Sequence, residues 1–202
     1  MAAKPLNTPL TAAEIAALCD GVHHGADFQA LDVSTDSRRL QAGELFIALR
    51  GPNFRGEDFL AAAKGQGAVA AIVAEYQPDA GLPQIVVADT LAALQALARD
   101  RRERSQAQFF AITGSNGKTS TKEMLQRLLQ TRGQTLATLG NLNNDIGVPL
   151  TLLRLRDGDR FAVIEMGANH PGEIARLATL TRPDVALITN VAPAHLAGFG
   201  SL

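Results

Sequence analysis

The sequence is poor in sulfur chemistry: a single cysteine, Cys19, stands among 202 residues. One thiol cannot close an internal disulfide, and nothing accompanies it at metal-ligand spacing. It lies in an Ala/Leu-rich helical stretch and reads as a small buried hydrophobe. Neither sign of charge is in surplus: 19 Lys and Arg against 20 Asp and Glu leave a net charge of −1. A basic stripe of the kind a nucleic-acid binder carries is therefore absent. The one basic cluster, Arg99, Arg101, Arg102 and Arg104, is interrupted by Asp100 and Glu103. It reads as the solvated end of a helix, where cations suit the dipole. No apolar run is long enough to span a bilayer, and the opening residues lack the apolar core of a signal peptide. A cytoplasmic protein with no membrane or nucleic-acid partner is expected. There is no low-complexity tract and no repeat at solenoid spacing.

What is present is an ordinary globular balance, 46% hydrophobic and 19% charged, on a chain long enough for one or two domains. Thr11-Ala-Ala-Glu14 is a capping-box signature for a short helix that Gly21 can end. Strands are expected at 44–49, 69–73 and 85–88, with an Ala-rich helix at 59–64 between the first two. Helix, strand, helix, strand, strand describes a small α/β domain over residues 1–106. Asp89 or Thr90 can cap the next helix, whose basic end runs into Ser105-Gln-Ala-Gln108.

Beyond that point the pattern becomes regular. Strands at 109–113, 134–138, 161–166 and 185–190 alternate with helices at 118–131, 148–155 and 172–180. Such alternation means βαβ units and a parallel sheet buried on both faces, over residues 107–202. The fold class is α/β: a small N-terminal domain followed by a P-loop-type parallel-sheet domain.

Gly114-Ser-Asn-Gly-Lys-Thr119 lies between a strand and a helix, the arrangement that phosphate binding requires. Gly114 and Gly117 let the backbone curl so that the amides of Ser115, Asn116 and their neighbours can face an anion. The helix start, continuing into Ser120, adds about half a positive charge. Lys118 supplies a full charge, and the Thr119 hydroxyl can reach a Mg²⁺ bridging the phosphates of ATP. The spacing is unusual. The common loop has four residues between its first glycine and the Gly-Lys pair; here there are two. A phosphate-bound Mg²⁺ wants a carboxylate at the end of a neighbouring strand, and Phe161-Ala-Val-Ile-Glu-Met-Gly delivers Glu165 there. On chemistry alone His195 reads as a loop histidine, since imidazole prefers softer metals.

With these motifs in order, the chain resembles the Mur ligases of bacterial cell-wall synthesis. The shortened loop Thr113–Thr119 matches that family's phosphate loop. Gly140-Asn-Leu-Asn-Asn-Asp-Ile-Gly-Val-Pro149 is similar to its second central motif. Glu165-Met-Gly-Ala-Asn-His-Pro-Gly-Glu-Ile174 and Asn190-Val-Ala-Pro-Ala-His-Leu-Ala-Gly-Phe-Gly-Ser201 look most like the branch that adds D-alanyl-D-alanine. Other branches usually carry Asp before the last histidine, where this chain has Ala194.

The resemblance implies an ATP- and Mg²⁺-dependent ligase acting on UDP-N-acetylmuramoyl-tripeptide and D-alanyl-D-alanine through an acyl phosphate, as a monomer. It implies that Ser37, Arg38, Asn53 and Phe54 contact the UDP-sugar, and that Asn144 or Asp145 faces its reacting end. It assigns Lys118, Glu165 and His195 to catalysis, with Thr119, Glu165 and His195 at the Mg²⁺ site. Asn169 and His170 stand open between site and helix cap. Alternatives are a diaminopimelate- or lysine-adding Mur ligase, a folylpolyglutamate synthase, and a non-catalytic nucleotide-binding module. The family continues beyond the point matching Leu202, through the rest of the central domain, a carbamylated lysine and a third domain. A fragment inactive alone is therefore expected.

Overall fold

The computed structural model describes residues 4–51 and 53–192. The chain divides into two compact units, Met1–Asp100 and Arg101–Leu202.

In the first unit Thr11 opens α1, Ala12–Leu18. The Thr11 hydroxyl accepts from the Glu14 amide at 3.3 Å, and the Glu14 carboxylate takes the Thr11 amide at 2.7 Å. The reciprocal pair satisfies donors that a helix start leaves over. Lys4 Nζ adds an ion pair 2.7 Å from Glu14. That hydrogen bond first, and the Thr11 amide second, hold the Glu14 carboxyl down to about 2. The helix stops earlier than Gly21: Cys19 is its C-cap, and the left-handed residue is Asp20, at φ +50°. Gly21 answers to packing instead, because a Cβ there would lie 2.5 Å from Ile85 Cγ2. Cys19 is only partly buried, its thiol 3.7 Å from Ala93 O, and desolvation pushes it up to about 12. It therefore stays protonated and inert.

The strands of this unit are β1 Leu10–Thr11, β2 Val22–His24, β3 Gln29–Ala30, β4 Val33–Ser34, β5 Leu45–Ile47, β6 Arg50–Gly51, β7 Phe54–Arg55, β8 Ala70–Val73 and β9 Gln84–Val86. Five form one sheet, ordered β2-β9-β8-β5-β4, parallel except where β2 meets β9. The pairs β1-β3 and β6-β7 are separate antiparallel ribbons. β5 and β8 are buried along their whole length, as central strands covered on both faces are. A 3-10 turn, Gly56–Phe59, leads into α2, Leu60–Gly65. From α2, Leu60 and Ala63 join Phe46, Ala48, Ala71 and Val73 in the core.

Helix α3, Thr90–Arg104, is capped by Asp89, whose Oδ1 accepts from the amides of Leu91 at 2.8 Å and Ala92 at 3.1 Å. Its basic end is not a solvated face. Arg99 is exposed, but Arg101 is 3% exposed and donates to Leu155 O at 3.3 Å. Arg102 donates to Thr181 O at 2.6 Å and lies 3.7 Å from the centroid of the Phe109 ring. These guanidinium groups are drawn inward by carbonyls that other helices leave unpaired at their ends, and by an aromatic face.

The second unit runs β10 Gln108–Thr113, α4 Lys118–Gln130, β11 Thr135–Ala137, α5 Gly147–Leu153, β12 Phe161–Glu165, α6 Glu173–Thr181 and β13 Val185–Ile188. Its sheet, ordered β11-β12-β10-β13, is parallel throughout. Leu125 and Leu129 of α4 pack on Ile112, Ala137 and Val163, a cluster drawn from three strands. Burial on both faces holds for β12 and, in β10, only around Ala111 and Ile112; it fails at the edge, where all four residues of β13 are exposed. Because the sheet is parallel, the segments leaving β10, β12 and β13 emerge at one edge. The order also reverses at β10, and ligands of open α/β sheets bind outside such reversals.

Candidate functional site

Gly114 leaves β10 at φ +134°, and a Cβ on it would overlap Thr189 Oγ1. Gly117, at φ +79°, directly precedes α4. Both positions need glycine, one for backbone angle and close approach together, the other for angle. Between them the loop is tied to the segment leaving β13. The Ser115 amide donates to Asn190 O at 3.1 Å and the Asn116 amide to Asn190 Oδ1 at 2.9 Å. Thr189 Oγ1 donates to Asn116 O at 2.6 Å. Ser115 Oγ donates to Ala192 O at 2.9 Å and accepts from its amide at 3.0 Å.

The helical ladder of α4 begins with the Thr121 amide on Gly117 O at 3.0 Å. The amides of Lys118, Thr119 and Ser120 stand ahead of it, in the turn that a helix leaves without internal partners. Thr119 and Ser120 are exposed. Lys118 Nζ folds back on Gly114 O at 2.7 Å. A braced loop, spare amides and a retracted ammonium at a positive helix end make a site for an anion.

Glu165 ends β12 directly beside Ile112 of β10. It is 2% exposed. Its amide donates to Thr138 Oγ1 at 2.9 Å, and Thr138 O accepts from the buried Lys122 amine at 3.0 Å. Asn143 Nδ2 donates to Glu165 Oε1 at 2.8 Å, whereas Oε2 is buried with no hydrogen-bond partner among the described residues. A buried anionic oxygen left without a donor is costly. It fits a hard, oxygen-seeking cation such as Mg²⁺. Among the described residues no three His, Cys, Asp or Glu side chains converge.

The other expected residues of this unit are placed differently. Asn144 Oδ1 caps α5, accepting from Gly147 N at 2.9 Å and Ile146 N at 3.2 Å. Asp145 pairs with Arg176 at 3.4 Å. Glu173 reaches back to the amides of Asn169 at 2.6 Å and His170 at 3.1 Å, and those two bonds lower its pKa. Both amides therefore belong to the turn before α6. His195 lies outside the described residues.

The first unit holds a cavity of about 470 Å³, with Asp36, Ser37 and Arg38 on its polar side and Phe46, Leu49, Phe54 and Phe59 on its apolar side. Ser37 is buried and Phe54 half exposed. Arg38 grips Asp36 with both arms, Nε to Oδ1 at 2.8 Å and one terminal nitrogen to Oδ2 at 2.9 Å. That pair, with the Arg38 amide, holds the Asp36 carboxyl down to about 2. Asn53 is exposed and does not line the cavity. The β6-β7 ribbon that carries Phe54 is fastened from below. Arg50 reaches both Glu57 and Glu75 at 2.9 Å, and Arg55 reaches Glu75 at 2.7 Å.

Reading the sequence missed Asn143, Thr138, Lys122, Thr189 and Asn190. The available signal was position: each lies in or beside a motif that leaves the carboxyl edge of the sheet, except Lys122, one turn into α4.

A parallel sheet with a phosphate-type loop between β10 and α4, and an acid on the adjacent strand, defines an α/β protein of the P-loop type. Comparison with known proteins narrows this. The Mur ligase middle domain matches residues 112–202, and the Mur ligase family, catalytic domain, matches residues 32–102. The UDP-N-acetylmuramoyl-tripeptide–D-alanyl-D-alanine ligase of Escherichia coli K12 is 50% identical over 193 residues, 96% of this chain and 42% of that protein. A crystal structure of MurF from Acinetobacter baumannii superposes with a TM-score of 0.89 at 43% identity, over 96% of this chain and 43% of that one. MurF from Thermotoga maritima, solved in complex with ADP, gives 0.73 at 35% identity, over 82% of this chain and 38% of that one. The chain belongs to the Mur ligase family. It spans about 42% of the length of the E. coli relative.

Proposed function

We propose that this chain supplies the UDP-substrate unit and much of the ATP unit of a ligase joining D-alanyl-D-alanine to UDP-N-acetylmuramoyl-tripeptide, in peptidoglycan precursor synthesis. Relatives bearing that name support the choice of reaction. The observation that carries the chemistry is Glu165, a buried acid with one oxygen unpartnered among the described residues, on the strand next to that leading into the phosphate loop.

A carboxylate does not acylate an amine unaided, because its oxygen leaves poorly. ATP solves this: the terminal carboxylate of the tripeptide attacks the γ-phosphorus, ADP departs, and an acyl phosphate remains. The amine of D-alanyl-D-alanine then adds to the acyl carbon, loses its proton, and inorganic phosphate leaves as the peptide bond forms. Lys118 exchanges Gly114 O for a phosphate oxygen, and the amides of Gly117 through Ser120 surround the charge. The Ser115 and Asn116 amides, expected from sequence to face the anion, donate to Asn190 instead, so these residues and Gly114 serve by shaping the loop. Mg²⁺ held by Thr119, Glu165 and His195 would neutralise developing charge on the phosphates. In the first unit Ser37, Arg38 and Phe54, which line the cavity, receive the UDP moiety, Phe54 offering a ring face and Arg38 a charge for the diphosphate; Asn53, outside the lining, could reach it only from the rim. Asn144 spends its carbonyl oxygen on α5, so its NH₂ group is the part available to a substrate.

Among the described residues no helix is long and apolar enough to cross a membrane. The reading includes a cytoplasmic enzyme, since its nucleotide-linked precursors are made there, acting as a monomer. The test is ADP release by the complete enzyme with UDP-N-acetylmuramoyl-tripeptide and different amine acceptors. D-alanyl-D-alanine should support it. Release with diaminopimelate or lysine on the dipeptide precursor, and none with D-alanyl-D-alanine, would overturn the assignment.

A further inference from the structure

We infer that Asn143 is a positioning residue that decides which oxygen of Glu165 faces a bound cation. The inference rests on the reading of Glu165 as a Mg²⁺ ligand and goes beyond it.

A carboxylate has only acceptors, so the Asn143 carboxamide must present its NH₂ group to Glu165, and it does so at 2.8 Å from Oε1. Oε1 is thereby engaged, and Oε2 is the oxygen left without a donor. A carboxylate bound this way offers one oxygen, in a fixed direction, to a cation. Free to rotate, it would alternate between one- and two-oxygen geometries, which Mg²⁺, with its strict octahedral demand, accommodates poorly.

Asn143 is itself held at its backbone from two sides, and its side chain has room on a third. Its amide donates to Asn141 O at 2.8 Å, and its carbonyl accepts from Gly167 N at 2.7 Å. The third side is Gly167. A Cβ there would lie 2.9 Å from Asn143 Oδ1 and 3.1 Å from Nδ2, so the missing side chain makes room for the carboxamide. Glu165 is fixed independently at its backbone by Thr138, which bonds the buried Lys122. Side chain and main chain of the acid are thus clamped by different residues, and the two clamps can be released separately.

The test is Mn²⁺ affinity, read by electron paramagnetic resonance on the complete enzyme in the presence of ADP. ADP affinity in EDTA is measured alongside. Asn143→Leu keeps most of the volume and removes the donor; Asn143→Ala removes both. Both should weaken Mn²⁺ binding about tenfold or more, the usual cost of losing a group that orients a ligand. ADP affinity in EDTA should stay within twofold, which separates positioning from collapse of the site. Mn²⁺ affinity within twofold of the parent in the Leu form, alongside its loss in Glu165→Gln, would overturn the role of Asn143. Unchanged Mn²⁺ affinity in Glu165→Gln itself would instead remove the metal reading on which this rests. Should the Leu form lose ADP binding in EDTA, the Ala form decides by the same two readings. Should both lose it, Asn143 supports the fold of the loop and the inference falls.

Discussion

Lys118 Nζ lies 2.7 Å from the carbonyl oxygen of Gly114, four residues behind it. The ammonium group is held over the loop that precedes it and needs one partner exchanged, not a new rotamer search, to meet a phosphate. Removing it should stop turnover in the complete enzyme, by a factor of about 10³ or more, because little else in the loop carries a full positive charge. The fold should survive. Single-turnover phosphate release and a thermal melt of Lys118→Ala check the two halves, and near-normal turnover would sink the role given to this lysine.

Gly114 makes a sharper structural prediction. Its φ of +134° and the overlap of a Cβ with Thr189 Oγ1 act together. Gly114→Ala should lose about 1–3 kcal/mol of stability from backbone strain. It should lose ADP binding by more than the stability change accounts for, because the bonds to Asn190 are disturbed. Urea unfolding and calorimetry with ADP separate these effects.

Arg38 lines the cavity of the first unit with most of its side chain in solvent. Arg38→Ala should weaken binding of a UDP-sugar about tenfold, and the loss should shrink with added salt. Arg38→Lys should recover only part of it, since one ammonium cannot hold Asp36 with two bonds while facing a diphosphate. Full affinity in the Lys form would show that only the charge matters.

Among the described residues three carboxyls of the first unit titrate low: Glu14 and Asp36, each held to about 2 from ordinary values of 4.5 and 3.8, and Glu75, lowered by Arg50 first and Arg55 second. A depressed folded pKa adds stability that is complete above the unfolded value and is lost as pH falls toward the folded one. The first unit should therefore weaken between about pH 4.5 and pH 2. Glu14→Gln should flatten part of that slope by removing the charge and the ion pair to Lys4, while its amide oxygen can still accept from the Thr11 amide and keep the capping box. These pairs are partly solvated, so each contributes less than its pKa implies. Urea midpoints from pH 6 to pH 2.5 give the comparison, and an unchanged slope in the variant would exclude Glu14 as a source.

The parts that were legible in the sequence were those set by neighbours along the chain. The β10-loop-α4 segment announces itself through two glycines and a lysine within six residues. The apolar runs of β8, β10 and β12 can only be buried strands. The parts that were not legible depend on distant partners. The cluster at Arg99 to Arg104 looked solvated because nothing local shows that Leu155 and Thr181 carbonyls wait for it. Nothing in Asn143-Asn-Asp145 says which side chain turns to Glu165, which caps α5 and which pairs with Arg176. That sorting is made by the fold of the 140–147 loop, where a Cβ on Gly147 would overlap the Leu142 backbone. Two-residue strands such as β6 and β7 carry no period to read.

The bonds between the phosphate loop and the segment after β13 have a bearing on assembly. Ser115 and Ala192 are 77 residues apart in the chain. The loop cannot take its final shape until the last described strand has come off the ribosome and docked beside β10. Nucleotide recognition thus waits on a segment synthesised 77 residues after the loop that it braces. In refolding, a fluorescent nucleotide should report later than helix content, and the lag between them measures the docking of a single strand.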